Sequence, residues 1–140
     1  MEIRDYAAHD AVGLAALLRA GEVSAAEVED AARRAIEAVE PSLHATVGDP
    51  VDPAFAASDD GPFAGVPFAL KDVMPHLEGQ VVQAGSRLTG AGIRCPADTH
   101  LGARYRAAGF RPVVRTRAPE LAFNLTTEPL VHGPTRNPWD

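Results

Sequence analysis

A single lysine, Lys71, stands directly behind the apolar run Gly65-Val66-Pro67-Phe68-Ala69-Leu70, and the other twelve cations of the chain are all arginines. Arginine stays protonated at any accessible pH, whereas a lysine withdrawn from water can give up its proton and serve as a base. Lys71 is therefore the first candidate for proton-transfer chemistry. The competing account is compositional: in an arginine-, alanine- and glycine-rich chain one lysine survives by chance. Placement behind the apolar run does not decide between the two, although burial moves a lysine toward neutrality at working pH.

The other reactive side chains offer less. Cys95 is the one cysteine, which excludes an internal disulfide and a cysteine-rich zinc site, and no histidine stands near it in sequence to activate it. His9, His44, His76, His100 and His132 show no paired spacing of the kind that holds a metal. Neither a Ser-x-x-Lys nor a Gly-x-Ser-x-Gly pattern is present. Of the four serines, Ser24 reads as a helix cap, while Ser42 and Ser58 lie in turn-rich sequence; Ser86 has no activating pattern around it. No metal and no cofactor is expected.

Composition narrows the class. A chain of 140 residues, 46% hydrophobic and 23% charged, can form one globular domain burying roughly two-thirds of its unfolded surface. A net charge of -6 argues against a nucleic-acid groove or an anionic membrane surface. Arg33-Arg34 and Arg104 with Arg106 read instead as solvated helix faces. Glu2 and Asp5, without a long apolar stretch, make the N-terminus neither a secretory signal nor a membrane anchor, and a cytoplasmic location is expected.

The elements that would position Lys71 are legible in part. Asp10 caps a helix with an apolar stripe through Val12, Leu14, Ala15, Leu17 and Leu18, and Gly21 supplies the left-handed C-cap. Ser24-Ala25-Ala26-Glu27 is a capping box. It opens a second helix through Val28, Ala31, Ala32, Ala35, Ile36 and Val39 that should stop at Pro41. The stretch 48–62 reads as a surface connection. Val66–Leu70 suits a buried strand, which Pro67 confines to a strand start or an edge. Asp98 should cap a third helix with Leu101, Tyr105 and Ala108 on one side, closed by Gly109 and followed by a strand over Phe110–Val114. Strand, helix, strand predicts an α/β unit with a right-handed crossover, and Lys71-Asp72 falls at the carboxyl end of its first strand, where working residues of such sheets sit.

Taken together, the segments resemble the amidase signature family. The run Gly61-Pro62-Phe63-Ala64-Gly65-Val66-Pro67-Phe68-Ala69-Leu70-Lys71-Asp72 is similar to that family's catalytic-lysine segment. In the family's order follow Ala84-Gly85-Ser86, the helix ending Arg106-Ala107-Ala108-Gly109, Thr116 with Pro119-Glu120, Thr126-Thr127-Glu128-Pro129, and Gly133-Pro134-Thr135-Arg136-Asn137-Pro138-Trp139-Asp140. The opening Leu14-Ala15-Ala16-Leu17-Leu18-Arg19-Ala20-Gly21-Glu22-Val23-Ser24 also matches, so the resemblance spans nearly the whole chain.

The resemblance implies the N-terminal portion of an α/β fold, a mixed sheet flanked by helices and opening with a helical hairpin, with residues 1–140 forming part of a single amidase domain. It implies amide-bond hydrolysis by a serine–serine–lysine triad on a small-molecule amide, with Lys71 as the catalytic lysine acting through a bridging serine. The glycine- and serine-rich loop that follows Asn-Pro-Trp-Asp in the family is absent from these residues, and Ser86 lies in a motif other than the nucleophile's. Three readings follow: a truncated N-terminal part of a hydrolase, a split enzyme completed by a partner chain, or a non-catalytic binding or regulatory relic. Two departures stand inside the matched region. Val114-Arg115-Thr116-Arg117 replaces the usual Gly-Lys-Thr-Asn, putting a large cation where the family has a small amide, and Val73-Met74-Pro75-His76 is atypical after the lysine.

Overall fold

A computed structural model of the chain describes residues 1–48 and 58–139. Three helices open it: α1 (Ile3–Ala7), α2 (Ala11–Ala20) and α3 (Ala25–Leu43). The Asp10 side chain accepts from the Gly13 N–H and Gly21 closes α2 in the left-handed region, both as the sequence predicts. Ser24 and Glu27 form the reciprocal capping box at the start of α3. The short α1 had no periodicity long enough to announce it.

α3 does not stop at Pro41. The helix runs on through Pro41, Ser42 and Leu43 and ends on His44, whose N–H donates to the Glu40 carbonyl. A proline inside a helix removes one backbone donor and crowds the preceding turn, and here the end is held from outside. Both Glu40 carboxylate oxygens receive the N–H of Thr46 and one also that of Ala45, capping the turn that leaves the helix. Ser42 is consequently helical, its hydroxyl donating to the Val39 carbonyl.

Among the described residues the main sheet has three strands in the order β1 (Thr46–Val47), β5 (Arg111–Thr116), β2 (Pro67–Lys71). β2 and β5 run parallel, joined through α4 (His100–Ala107), which is the predicted strand, helix, strand unit. β2 begins at Pro67 and lies at the edge, the two places its proline permits. β5 is central and yet contains Pro112, which brings no N–H to the ladder. The register slips there: Phe68 faces Pro112 and the next residue, Ala69, faces Val114. A two-stranded antiparallel hairpin, β3 (Val81–Val82) with β4 (Ile93–Arg94), lies between β2 and α4 in sequence.

Asp98 is not the cap of α4. Thr99 is, its hydroxyl accepting from the Gly102 N–H, while Asp98 accepts from the Glu78 N–H and from Arg106. Leu101 is exposed, and the helix buries Gly102 instead, where a side chain would run into the His76 carbonyl. The expected solvated arginine faces are also partly tied down. Arg33 bonds Glu29 and the Val113 carbonyl, which fastens α3 to β5, and Arg106 pairs with Asp98.

A core of Leu14, Ala15, Val28 and Val66, with Tyr6, Phe63 and Phe110 packed against it, joins the hairpin to the entry of β2. Phe63 stacks on Phe110 at 4.6 Å and Phe68 packs between Phe110 and Tyr105, so an aromatic row supports the segment leading to Lys71. Most of the predicted connection, residues 49–57, lies outside the described residues.

Candidate active site around Lys71

Lys71 is the last residue of β2 and pairs with Thr116, the last residue of β5, so both strands of the parallel pair end together. Its side chain is exposed, and among the described residues it makes no hydrogen bond or ion pair. Phe68 and Leu70 do not surround Lys71 with apolar surface: Leu70 is fully buried, Phe68 is half-buried, and Lys71 points away from Leu70 by the alternation of the strand.

The next residue turns inward. Asp72 has no exposed surface, and its carboxylate accepts from Arg115 Nη1 at 2.9 Å and from the Gln83 N–H at 3.2 Å. Its backbone N–H donates to the Thr116 carbonyl and its carbonyl accepts from the Ala84 N–H. Arg115 Nη1 also donates to the Val81 carbonyl. One buried ion pair thus ties the end of β2 to β5 and to β3, and a buried charge is tolerated only when paired and hydrogen-bonded in this way. Sequence reasoning missed Asp72 and Arg115 as partners. Arg115 was visible as a departure, but nothing in the spacing showed that it reaches back to the residue after the lysine.

Two loops close on the same end of the sheet. Ala84 and Gly85 in one, and Leu121 and Ala122 in the other, have φ between 50° and 62°. For non-glycine residues such backbone costs about 1–3 kcal/mol each and persists only where neighbouring contacts impose it. Those contacts are present. The Leu121 N–H donates to the Ala84 carbonyl at 2.8 Å, and at Gly85 a side chain would collide with the Ala118 and Pro119 carbonyls. Ser86 is fully buried, donates its hydroxyl to Glu120 Oε1 at 2.7 Å and accepts from the Leu88 N–H. It fastens the two loops together.

Arg117, in the same departing segment as Arg115, anchors the C-terminal segment. Its Nε donates to the Thr46 carbonyl at 3.0 Å and its Nη1 to the His132 carbonyl at 2.7 Å. The segment is held further by Thr135 N–H to the Thr127 carbonyl, Arg136 N–H to the Leu43 carbonyl and Thr135 Oγ1 to the His44 carbonyl. Between Arg117 and this segment lies a cavity of ≈ 260 Å³ lined by His44, Arg117, His132, Pro134 and Arg136. Burial lowers the pKa of His132, Arg117 and Arg115 reinforce the effect, and Asp72 opposes it.

Cys95 is buried and its thiol pKa is raised, first by burial and then by Asp72, as suits a spectator. Among the described residues no group of three histidine, cysteine or carboxylate side chains could hold a metal ion. No described helix is long and apolar enough to cross a membrane.

The profile of the Amidase family matches residues 24–140, and the chain belongs to that family. It is 37% identical over 134 residues to 6-aminohexanoate-cyclic-dimer hydrolase of Paenarthrobacter ureafaciens, covering 94% of this chain and 27% of that protein. It is 40% identical over 147 residues to a glutamyl-tRNA(Gln) amidotransferase subunit of Acidothermus cellulolyticus, covering 97% of this chain and 29% of the relative. The solved structure of 6-aminohexanoate cyclic dimer hydrolase superposes with a TM-score of 0.81 at 35% identity, over 94% of this chain and 28% of that one. The chain therefore spans less than a third of the length of these relatives, all at their N-terminal part.

Proposed function

We propose that this chain is the lysine-bearing part of a cytoplasmic amide hydrolase acting on a small-molecule amide, with Lys71 as its general base. The observation that carries the reading is the place of Lys71, last in β2 at the carboxyl end of the parallel pair, in a chain belonging to the Amidase family. In this reading a neutral Lys71 amine takes a proton from a bridging serine. That serine takes the proton of a second serine, which attacks the amide carbonyl, and the proton is returned to the departing amine. Both serines come from polypeptide outside these 140 residues, as a continuation or as a partner chain. The exposure of Lys71 and the outer edge of β2, unpaired among the described residues, support that division, since the completing segments would cover them.

The substrate class is a carboxamide, in keeping with relatives whose names specify a 6-aminohexanoate cyclic dimer and a glutamyl-tRNA(Gln). The Asp72–Arg115 pair would hold the strand end that carries the base, and the strained loops at Ala84 and Leu121 would border the substrate. The test is a chimera in which this chain replaces the matched N-terminal segment of 6-aminohexanoate-cyclic-dimer hydrolase. It should hydrolyse the cyclic dimer, and Lys71→Arg should lower turnover by at least a thousandfold while leaving the thermal melt in place, because arginine cannot accept the proton. Unchanged turnover in that variant would remove Lys71 from the mechanism.

A further inference from the structure

We infer that the cavity between Arg117 and the C-terminal segment is a binding site for a small oxyanion, a carboxylate or a phosphate group. This goes beyond the hydrolase reading and does not depend on it. In a chain of net charge -6, the five lining residues include two arginines and two histidines and no acid. Arg33, Arg34, Arg106, Arg111 and Arg115 each meet a carboxylate, whereas neither Arg117 nor Arg136 has one within 4.0 Å among the described residues. Glu40 is the carboxylate that feels Arg117, and its oxygens are already taken by the Ala45 and Thr46 N–H groups.

The site is preorganised on one side and open on the other. Carbonyls of Thr46 and His132 fix the Arg117 guanidinium through Nε and Nη1. Arg136 is exposed, and its guanidinium makes no hydrogen bond or ion pair among the described residues, which leaves its donor fork free for a planar or tetrahedral oxyanion. The half-buried His132 ring lines the cavity, its buried Nε2 without a hydrogen-bond partner among the described residues. The cavity, ≈ 260 Å³, has room for such an anion. It lies one residue past Thr116, the cross-strand partner of Lys71.

The experiment is an NMR titration of the purified 140-residue chain, following the His132 ring signals and arginine side-chain resonances with sodium acetate, sodium phosphate and sodium chloride at matched ionic strength. Saturable movement with acetate alone identifies a carboxylate site, with phosphate alone a phosphate site, and with both a general oxyanion site. Arg136→Gln removes an unbonded, exposed side chain, so it should leave the spectrum of the free protein otherwise unchanged and weaken binding at least tenfold; Arg136→Lys should retain part of the affinity. Equal movement with chloride, no saturation, or undiminished binding in Arg136→Gln would overturn the site.

Discussion

Asp72 and Arg115 form a 2.9 Å ion pair in which the carboxylate has no exposed surface and the same guanidinium nitrogen also reaches the Val81 carbonyl. The pair joins the residue after the candidate base to the strand that aligns it. The flat, multiply donating guanidinium of Arg115 serves both acceptors.

Removing one partner of such a pair is costly, because the other is left as an uncompensated buried charge. Arg115→Ala should destabilise the chain by about 3–5 kcal/mol, read as a shift of the urea midpoint. Arg115→Lys should recover part of the loss, since it keeps the charge and loses the second contact. A midpoint unchanged in Arg115→Ala would show that Asp72 is relieved by some other group.

Two of the groups with shifted pKa values, His132 and Asp98, allow a test by pH. His132 has a lowered pKa, from burial first, so the unfolded chain takes up its proton before the folded one. Stability should therefore fall as pH drops below about 6.5. The Arg106 hydrogen bond holds the Asp98 pKa below the usual carboxylate value, and that contribution should be lost as pH falls below about 4 toward the folded value. Urea denaturation between pH 7 and 2.5 should show both losses, with His132→Gln flattening the upper one and Asp98→Asn the lower. If neither variant alters the profile, the two groups do not carry it.

Gly102→Ala should destabilise the protein although alanine is the better helix former by about 1 kcal/mol. The added methyl would meet the His76 carbonyl, and backbone cannot give way as a flexible side chain can. A net loss of about 1–3 kcal/mol is expected from overpacking, and a raised melting temperature would refute the contact.

Self-association is the expected solution behaviour of the 140-residue chain. β2 offers an edge that is unpaired among the described residues, and Phe123, Leu125, Leu130 and Trp139 are each at least 75% exposed. Sedimentation velocity should show concentration-dependent species larger than 14.7 kDa. A single monomeric boundary at all concentrations would mean that these surfaces are compatible with solvent.

Local signals carried the reading of the fold where they were strong. Asp10, Gly21 and the Ser24–Glu27 box marked helix ends because a cap is decided by residues within one turn. Pro41 misled because its local penalty is offset by Glu40 reaching past it to Ala45 and Thr46. Asp98 misled because two residues able to cap stood side by side, and Arg106 and Glu78 claimed the aspartate. Of the candidate site, the position of Lys71 at the carboxyl end of a strand was legible. The Asp72–Arg115 and Ser86–Glu120 pairs were not, since each joins residues far apart in the chain through a side-chain direction that spacing does not encode.

The pairing of Lys71 with Thr116 also sets an order of events during synthesis. The α2–α3 hairpin is made of near neighbours and can form as soon as it leaves the ribosome, whereas β2 must wait for a strand that has not yet been made. At about 5–20 residues per second the interval is on the order of seconds, long compared with hairpin or helix formation in microseconds. Through that time Phe68 and Leu70 have no sheet partner. The residue on which the chemistry is proposed to turn is thus seated late, by a contact that only the completion of β5 makes available.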